Sequence, residues 1–155
     1  MSTENDSHPI WLEKLVFTKC VVEAMPNHIP EEGSTSVPPV NNIEVKPDPE
    51  NPRHWLAIMR TVVNAERDPA SPYFVDMECA AMLVSDDTLD EKTARRGVLI
   101  TAHSVLYGAI RESVSWITGR QPYGSLMLGL SVLRPPPANK PAAPLPEADS
   151  HDEQK

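Results

Sequence analysis

The sequence predicts an α+β domain: a four-stranded antiparallel sheet packed with one long helix. Three observations carry this. Apolar residues alternate with period two in separate stretches before residue 85, the signature of strands. Between residues 99 and 117 the spacing changes to three and four, the period of a helix. The 17 prolines leave one window empty, with none between Pro72 and Pro122. Regular structure concentrates where no proline removes a donor or breaks a helix.

The first strand is predicted over 12–25. Leu15, Phe17, Val21 and Met25 are expected on one side, and Val16, Thr18, Cys20, Val22 and Ala24 on the other. Its β-branched residues favour a strand, and Pro26 ends it. A short edge strand is expected at 42–46, with Val40, Ile43 and Val45 supplying apolar contacts, because prolines flank it. The third strand, over 54–67, places Trp55, Ala57, Met59, Thr61 and Val63 on one face. Leu56, Ile58, Arg60, Val62 and Asn64 take the other. A turn cluster at 68–72 leads into a fourth strand over 73–83. There Tyr73, Val75, Met77, Cys79, Ala81 and Leu83 point inward, and Asp76 and Glu78 point to water. Two alternating runs across a short turn make an antiparallel hairpin.

Residues 85–88 offer caps for the helix, and Asp86, Asp87, Asp90 and Glu91 suit the positive end of its dipole. Leu99, Ala102, Leu106, Ala109, Ile110, Val114 and Ile117 form its buried stripe. Covering Leu106, Ile110, Val114 and Ile117 stabilises the layer by roughly 1.5–3 kcal/mol each. Gly97 marks a kink or a late start, and Gly119 and Pro122 supply the stop. The domain is expected over 12–133. It lies between a disordered N-terminus at 1–11 and a disordered, acidic, Pro-rich tail at 134–155.

Net charge is −8, with no basic stripe, which argues against nucleic acid and against anionic membranes. No segment approaches the roughly 18 apolar residues of a membrane span. The first ten residues hold no Lys, no Arg and no apolar run, so no secretory signal is expected. Cys20 and Cys79 sit in apolar strands and read as buried free thiols of a reducing compartment. A cytoplasmic protein is the expectation.

Chemistry is sparse. Neither a phosphate-cradling glycine loop nor CxxC nor HExxH is present, so no metal or cofactor is expected. His103 and Ser104 are adjacent on the helix and point about 100° apart, so they do not face each other. Glu23, Asp76 and Glu78 read as the wet side of strands rather than as an acid/base set. His151, Asp152 and Glu153 read as a solvated terminus, and the Pro141–Pro144 spacing as a spacer. An enzyme is not expected. The apolar surplus is the informative feature. Both faces of the first and third strands carry apolar residues, and one helix covers only one face. Val16, Val22, Leu56, Ile58 and Val62 must therefore meet another subunit or a client. Val16, Val22, Ile58, Val62 and Tyr107 are the expected interface of a homodimer or homotetramer. Ile43, Val45, Trp55, Leu56, Phe74 and Met82, with Leu126, Leu128 and Leu130, are the expected client-facing residues.

The helix and the segment after it also resemble a known family. Leu106-Tyr107-Gly108-Ala109-Ile110-Arg111-Glu112, followed by Val114, Ile117-Thr118, Arg120, Pro122, Gly124, Leu126 and Leu128, is similar to the main helix and following segment of the SecB export chaperones. Leu15-Val16-Phe17-Thr18-Lys19 with Glu23-Ala24-Met25-Pro26 resembles that family's first strand. Met59-Arg60-Thr61-Val62 leading to Tyr73, Val75, Met77 and Glu78 resembles its central hairpin. The resemblance spans 12–133 and departs at Gly108, where the family has proline. It departs again after Leu133, where prolines stand in place of a second helix. It implies an ATP-independent holdase that binds unfolded or extended polypeptide in apolar grooves, as in protein export. Export members reach the SecA motor of the translocase through a zinc-binding, cysteine-containing tail. Both cysteines here lie in strands, so that contact is not expected. A dedicated chaperone of one partner, such as the antitoxin of a toxin–antitoxin pair, is the first alternative. An interaction module that kept the fold without chaperoning is the second.

Overall fold

The computed structural model describes residues 8–30 and 37–133. The tail at 134–155 and most of the N-terminal segment, both predicted disordered, lie outside the described residues. The elements are β1 (Ile10–Ala24), β2 (Val40–Pro47), β3 (His54–Val63), β4 (Tyr73–Ser85) and α1 (Glu91–Thr118). This is the α+β arrangement expected from the alternation and the later helical period. The sheet order is β1-β4-β3-β2, antiparallel at each pairing. After β1 the chain crosses to the far edge and then returns through a three-strand meander.

β4 is the central strand. Tyr73, Val75, Met77, Cys79, Ala81 and Leu83 form its inner row, all nearly inaccessible. Trp55, Ala57, Met59, Thr61 and Val63 of β3 continue that row as their alternation predicts. Val98, Ala102, Leu106, Ile110 and Val114 of α1 close over it. The Trp55 ring is buried, and its Nε1 donates to Ser85 Oγ at 3.1 Å, so its one polar atom is satisfied.

Several boundaries and faces differ from the sequence expectation. β3 ends at Val63 rather than running to residue 67. Asn64 turns left-handed, with φ 57°. Its side-chain amide donates to the carbonyls of Asp68 and Tyr73, and its Oδ1 accepts from the Asp68 amide at 2.8 Å. Asparagine tolerates this conformation and mimics a backbone partner. β1 does not keep one alternation. Register shifts between Leu12 and Lys14 and between Phe17 and Lys19 each insert a residue. Leu15 and Phe17 therefore share the helix-facing side with Cys20, Val22 and Ala24, whose partners are the inner-row residues of β4. Val16 and Val21 fall on the opposite face. Cys20 is exposed, and only Cys79 is the buried thiol expected. Asp76 is buried on the outer face instead of pointing to water.

The helix begins after Asp90, whose carboxylate accepts from the Thr93 amide at 3.0 Å. Residues 85–88 serve other ends: Ser85 closes β4, and Asp86 Oδ1 accepts from the Thr88 amide. Gly97 neither kinks nor delays the helix. A β-carbon there would stand 2.5 Å from Ile10 Cδ1, so the missing side chain lets the start of β1 pack beneath α1.

The end of α1 is tied to β4 through one phenol. Tyr73 Oη donates to the Gly124 carbonyl at 2.6 Å and accepts from the Tyr123 amide at 3.2 Å. Burial raises its pKa, which keeps the hydroxyl a donor. Tyr73→Phe keeps the packing but leaves this amide and carbonyl without a partner. We expect a loss of about 1–3 kcal/mol in urea denaturation, with faster hydrogen exchange at residues 123–126. Unchanged exchange there would refute this role.

Candidate functional site

Two apolar surfaces of different construction flank the core. The first is the outer face of the sheet. Cross-strand pairing lays its side chains out in rows. His54, Val84 and Trp11 make one row; Lys46, Leu56, Met82 and Lys14 the next; Glu44, Ile58, Ala80 and Val16 the third. Together they form a band of seven apolar side chains. Among the described residues no second layer packs on it, and its central Ala80 and Val84 are buried only among their neighbours on the sheet. Trp11, Val16 and Leu56 remain 44%, 41% and 39% exposed. Scattered exposed hydrophobics are ordinary, but a contiguous band marks an interaction surface.

Charge bounds this band on one side. The next row is Asn42, Arg60, Glu78 and Lys19, followed by Val40, Val62, Asp76 and Val21. Arg60 Nε and Nη2 donate to the two Asp76 carboxylate oxygens, each at 2.8 Å. The Lys19 ammonium donates to Asp76 as well. The Arg60 hydrogen bonds, with Lys19 assisting, hold the Asp76 carboxyl at about 2, well below its usual range. Glu78 Oε1 accepts from the Thr18 hydroxyl at 2.7 Å, and Glu23 pairs with Arg67 at 2.5 Å. The three acids are thus separate, each with its own partner, and do not form an acid/base set.

The second surface lies between α1 and β2. It is occupied by the chain itself. After Gly119 the backbone continues without regular structure through residues 122–133 and runs back along the helix. Ser125 Oγ and Ser115 Oγ stand 2.8 Å apart. The Leu126 amide donates to Thr118 Oγ1 at 2.7 Å. Arg111 Nε donates to the Leu128 carbonyl at 2.7 Å, and Tyr107 Oη donates to the Gly129 carbonyl at 2.6 Å. Burial raises the Tyr107 pKa, which preserves that donor. The Ser131 hydroxyl sits 3.0 Å from His103 Nε2 on α1 and accepts from Asn41 Nδ2 of β2 at 3.1 Å. Leu128 is 3% exposed and joins the core, while Met127, Leu130 and Val132 face solvent.

The predicted client-facing residues divide among these places. Leu56, Met82 and Phe74 lie on the outer face, with the Arg67 guanidinium 4.0 Å over the Phe74 ring. Ile43 and Val45 face the helix, half-buried against the core, and Trp55 belongs to the core itself. Leu126 and Leu128 face inward from the strap, and Leu130 stays exposed. Of the predicted interface residues, Val16, Ile58 and Val62 share the outer face. Val22 packs toward the helix, and Tyr107 is buried under the strap. His103 does not face Ser104, whose hydroxyl bonds back to the Ile100 carbonyl. Its partner is Ser131, 28 residues away. Sequence spacing held no signal for Arg111, Tyr107 and Asn41 as strap ligands, since their partners are distant in the chain and two are backbone carbonyls.

Among the described residues, no group of three or more His, Cys, Asp or Glu side chains is placed to hold a metal ion. No helix among them is long and apolar enough to cross a membrane.

No family model matches the chain, and no curated protein does. Solved structures do. The chain superposes on the Mycobacterium tuberculosis SecB-like chaperone Rv1957, solved with a ChAD peptide from the Rv1956 HigA1 antitoxin. The TM-score is 0.52 and the identity 20%, over 80% of this chain and 91% of that one. A protein of unknown function from Streptococcus agalactiae matches with TM-score 0.48 and 7% identity, over 78% and 97% of the two chains. The fold is SecB-like.

The Asp76 pairing makes a pH prediction. Its folded pKa is depressed, so its stabilisation is complete above the ordinary value of 3.8 and fades as pH falls toward about 2. Urea midpoints at pH 5 and pH 2.5 should differ more for the native protein than for Asp76→Asn. The expected excess is about 1–2 kcal/mol, reduced from the full linkage value because Arg60 and Lys19 are half in water. Equal pH sensitivity in the two proteins would exclude the pairing as its source.

Proposed function

We propose that this chain is a chaperone of the SecB type, holding non-native or extended polypeptide against apolar surface without ATP and without catalysis. The observation that carries the reading is the apolar band of Trp11, Val16, Leu56, Ile58, Ala80, Met82 and Val84 on the outer sheet face, where Trp11, Val16 and Leu56 stand exposed around the buried Ala80 and Val84. A sheet strengthened by burial on one face gains nothing from an apolar second face unless something covers it. A client segment or a second copy of the chain supplies that cover. The fold supports the reading, since a SecB-like chaperone shares it.

A dedicated client is the version we favour. The related structure holds a peptide from an antitoxin, so a chaperone on this scaffold can serve one partner. The outer face here also sets charged groups beside its apolar band: the Arg60–Asp76–Lys19 cluster and Lys14, Lys46 and Glu44. Paired and unpaired charges at fixed positions select among apolar segments by what they repel.

The test is suppression of aggregation by the full chain, with light scattering after size exclusion. Leu56→Ser with Met82→Ser should cut client protection at least about tenfold, since each removes a side chain worth roughly 1.5–3 kcal/mol on burial. Helical circular dichroism should not change, because neither side chain meets α1. Full protection by that variant would overturn the assignment of the band.

A further inference from the structure

We propose that the channel between α1 and β2 is a second polypeptide site. In this structure it is filled by the chain's own residues 125–131, which act as an exchangeable internal ligand. Its external ligand is an extended segment carrying a leucine-sized side chain. The inference rests on the reading of this chain as a polypeptide binder and adds a place and a gate to it.

The strap is held as a bound peptide is held. It has no hydrogen-bonded partner strand and no helical turn of its own. Its two most directly held backbone carbonyls, at Leu128 and Gly129, accept from side chains of α1, Arg111 at 2.7 Å and Tyr107 at 2.6 Å. Bonds to main-chain carbonyls work for any sequence, and the pocket between them sets the preference. That pocket takes Leu128, which is 3% exposed. Gly129 follows with open space around it, since a β-carbon there would meet nothing within 4 Å. The far end is fastened by the Ser131 hydroxyl alone, between His103 on the helix and Asn41 on the edge strand.

The strap also carries more apolar surface than its anchoring requires. Met127, Leu130 and Val132 are 59%, 87% and 80% exposed. Only one buried side chain beyond the Ser125 and Leu126 root holds the segment down. A segment with one deep anchor opens at lower free energy than a core strand. Exchange is then balanced: an incoming leucine replaces Leu128, and incoming carbonyls replace those at 128 and 129. The tethered strap competes at a high effective concentration, so the channel answers only to a client that fits it.

The experiment uses the full chain with Cys20→Ser, carrying Asn41→Cys and Ser131→Cys to fasten the strap by a disulfide. Thiol titration reports closure. The probes are a fluorescent copy of residues 124–133 of this chain and a reduced, carboxymethylated unfolded protein. The reduced form should bind the peptide saturably. The oxidised form should bind it at least about tenfold more weakly, as expected when the competent state is withdrawn. A peptide with aspartate in place of its central leucine should not bind. Leu128→Ala in the otherwise unmodified chain should bind the peptide several-fold more tightly than the native protein does; a merely structural role for Leu128 would not raise affinity. Equal binding by oxidised and reduced forms, or no gain from Leu128→Ala, overturns the proposal. Should the reduced form hold unfolded protein while the peptide fails to bind, the channel is refuted and the chaperone reading stands. Should the peptide bind and respond to the disulfide while unfolded protein is ignored, the channel is upheld and the chaperone reading falls.

Discussion

Everything in this fold depends on β4 being apolar on its inner row and paired along both edges. β1 registers against it from Tyr73 to Ser85, and β3 from Val75 to Val84. That pairing satisfies its backbone on both sides, and the inner row then demands a cover. The helix supplies it with small and branched residues, Ala94, Val98, Ala102, Leu106, Ile110 and Val114. Because α1 must lie across β4 and β3, it leaves space at its flank above β2. A short edge strand ending in Pro47 cannot fill that space. The strap does so without regular structure, with Leu126 and Leu128 turned inward and its carbonyls held by side-chain donors of α1.

The same constraint explains why the outer face is left open. The chain crosses from β1 to β2 early and returns through β3 and β4, so α1 comes after the sheet and lies on one side only. The turn that joins β3 to β4 meets the crossover at one end of the sheet. There the Met25 amide donates to the Pro72 carbonyl, and Tyr123 Oη donates to the Met25 carbonyl. His28 stacks edge-on against Tyr123 at 4.8 Å. Turn, crossover and strap root are thus one packed cluster around Tyr73 and Tyr123. The band at the opposite end of the outer face, near Trp11 and His54, has no such cover among the described residues.

Much of this was legible in the residues. The strict alternation of 73–83 and 55–63 reads directly as the inner row, because both strands are free of bulges and one face is fully buried. The helix reads from its period and its Gly119 stop. β1 does not read correctly, since Glu13 and Thr18 add a residue each and reverse the faces between them. No pattern of hydropathy marks a bulge. Asp76 reads as a wet charge because its partners, Arg60 and Lys19, sit on two neighbouring strands and are found only once the register is known. The strap is the least legible part. Leu126, Leu128 and Leu130 alternate, but glycine interrupts them, and what holds them is Arg111 and Tyr107 reaching main-chain carbonyls. Composition marks such a segment as apolar and says nothing of where it lies.

The open band has to coexist with solubility, and the strand edges show how. β1 is a long edge with unpaired backbone groups, the sort of surface that recruits other chains indiscriminately. It carries Glu13, Lys14, Lys19 and Glu23 along its length, and its two bulges break the flat ladder a second strand would need. On the other edge β2 is short, interleaves Asn42, Glu44 and Lys46 with its apolar positions, and ends at Pro47. Edge pairing is therefore discouraged at both sides, while the face between them stays apolar over three rows and then meets the Arg60–Asp76–Lys19 cluster. A chain protected at its edges and open on its face offers a partner side chains rather than a strand edge. Recognition on such a face is set by the shape of the band and by where its charges fall. On the proposed reading, such a face selects apolar segments of limited variety and leaves main-chain recognition to the channel beside α1.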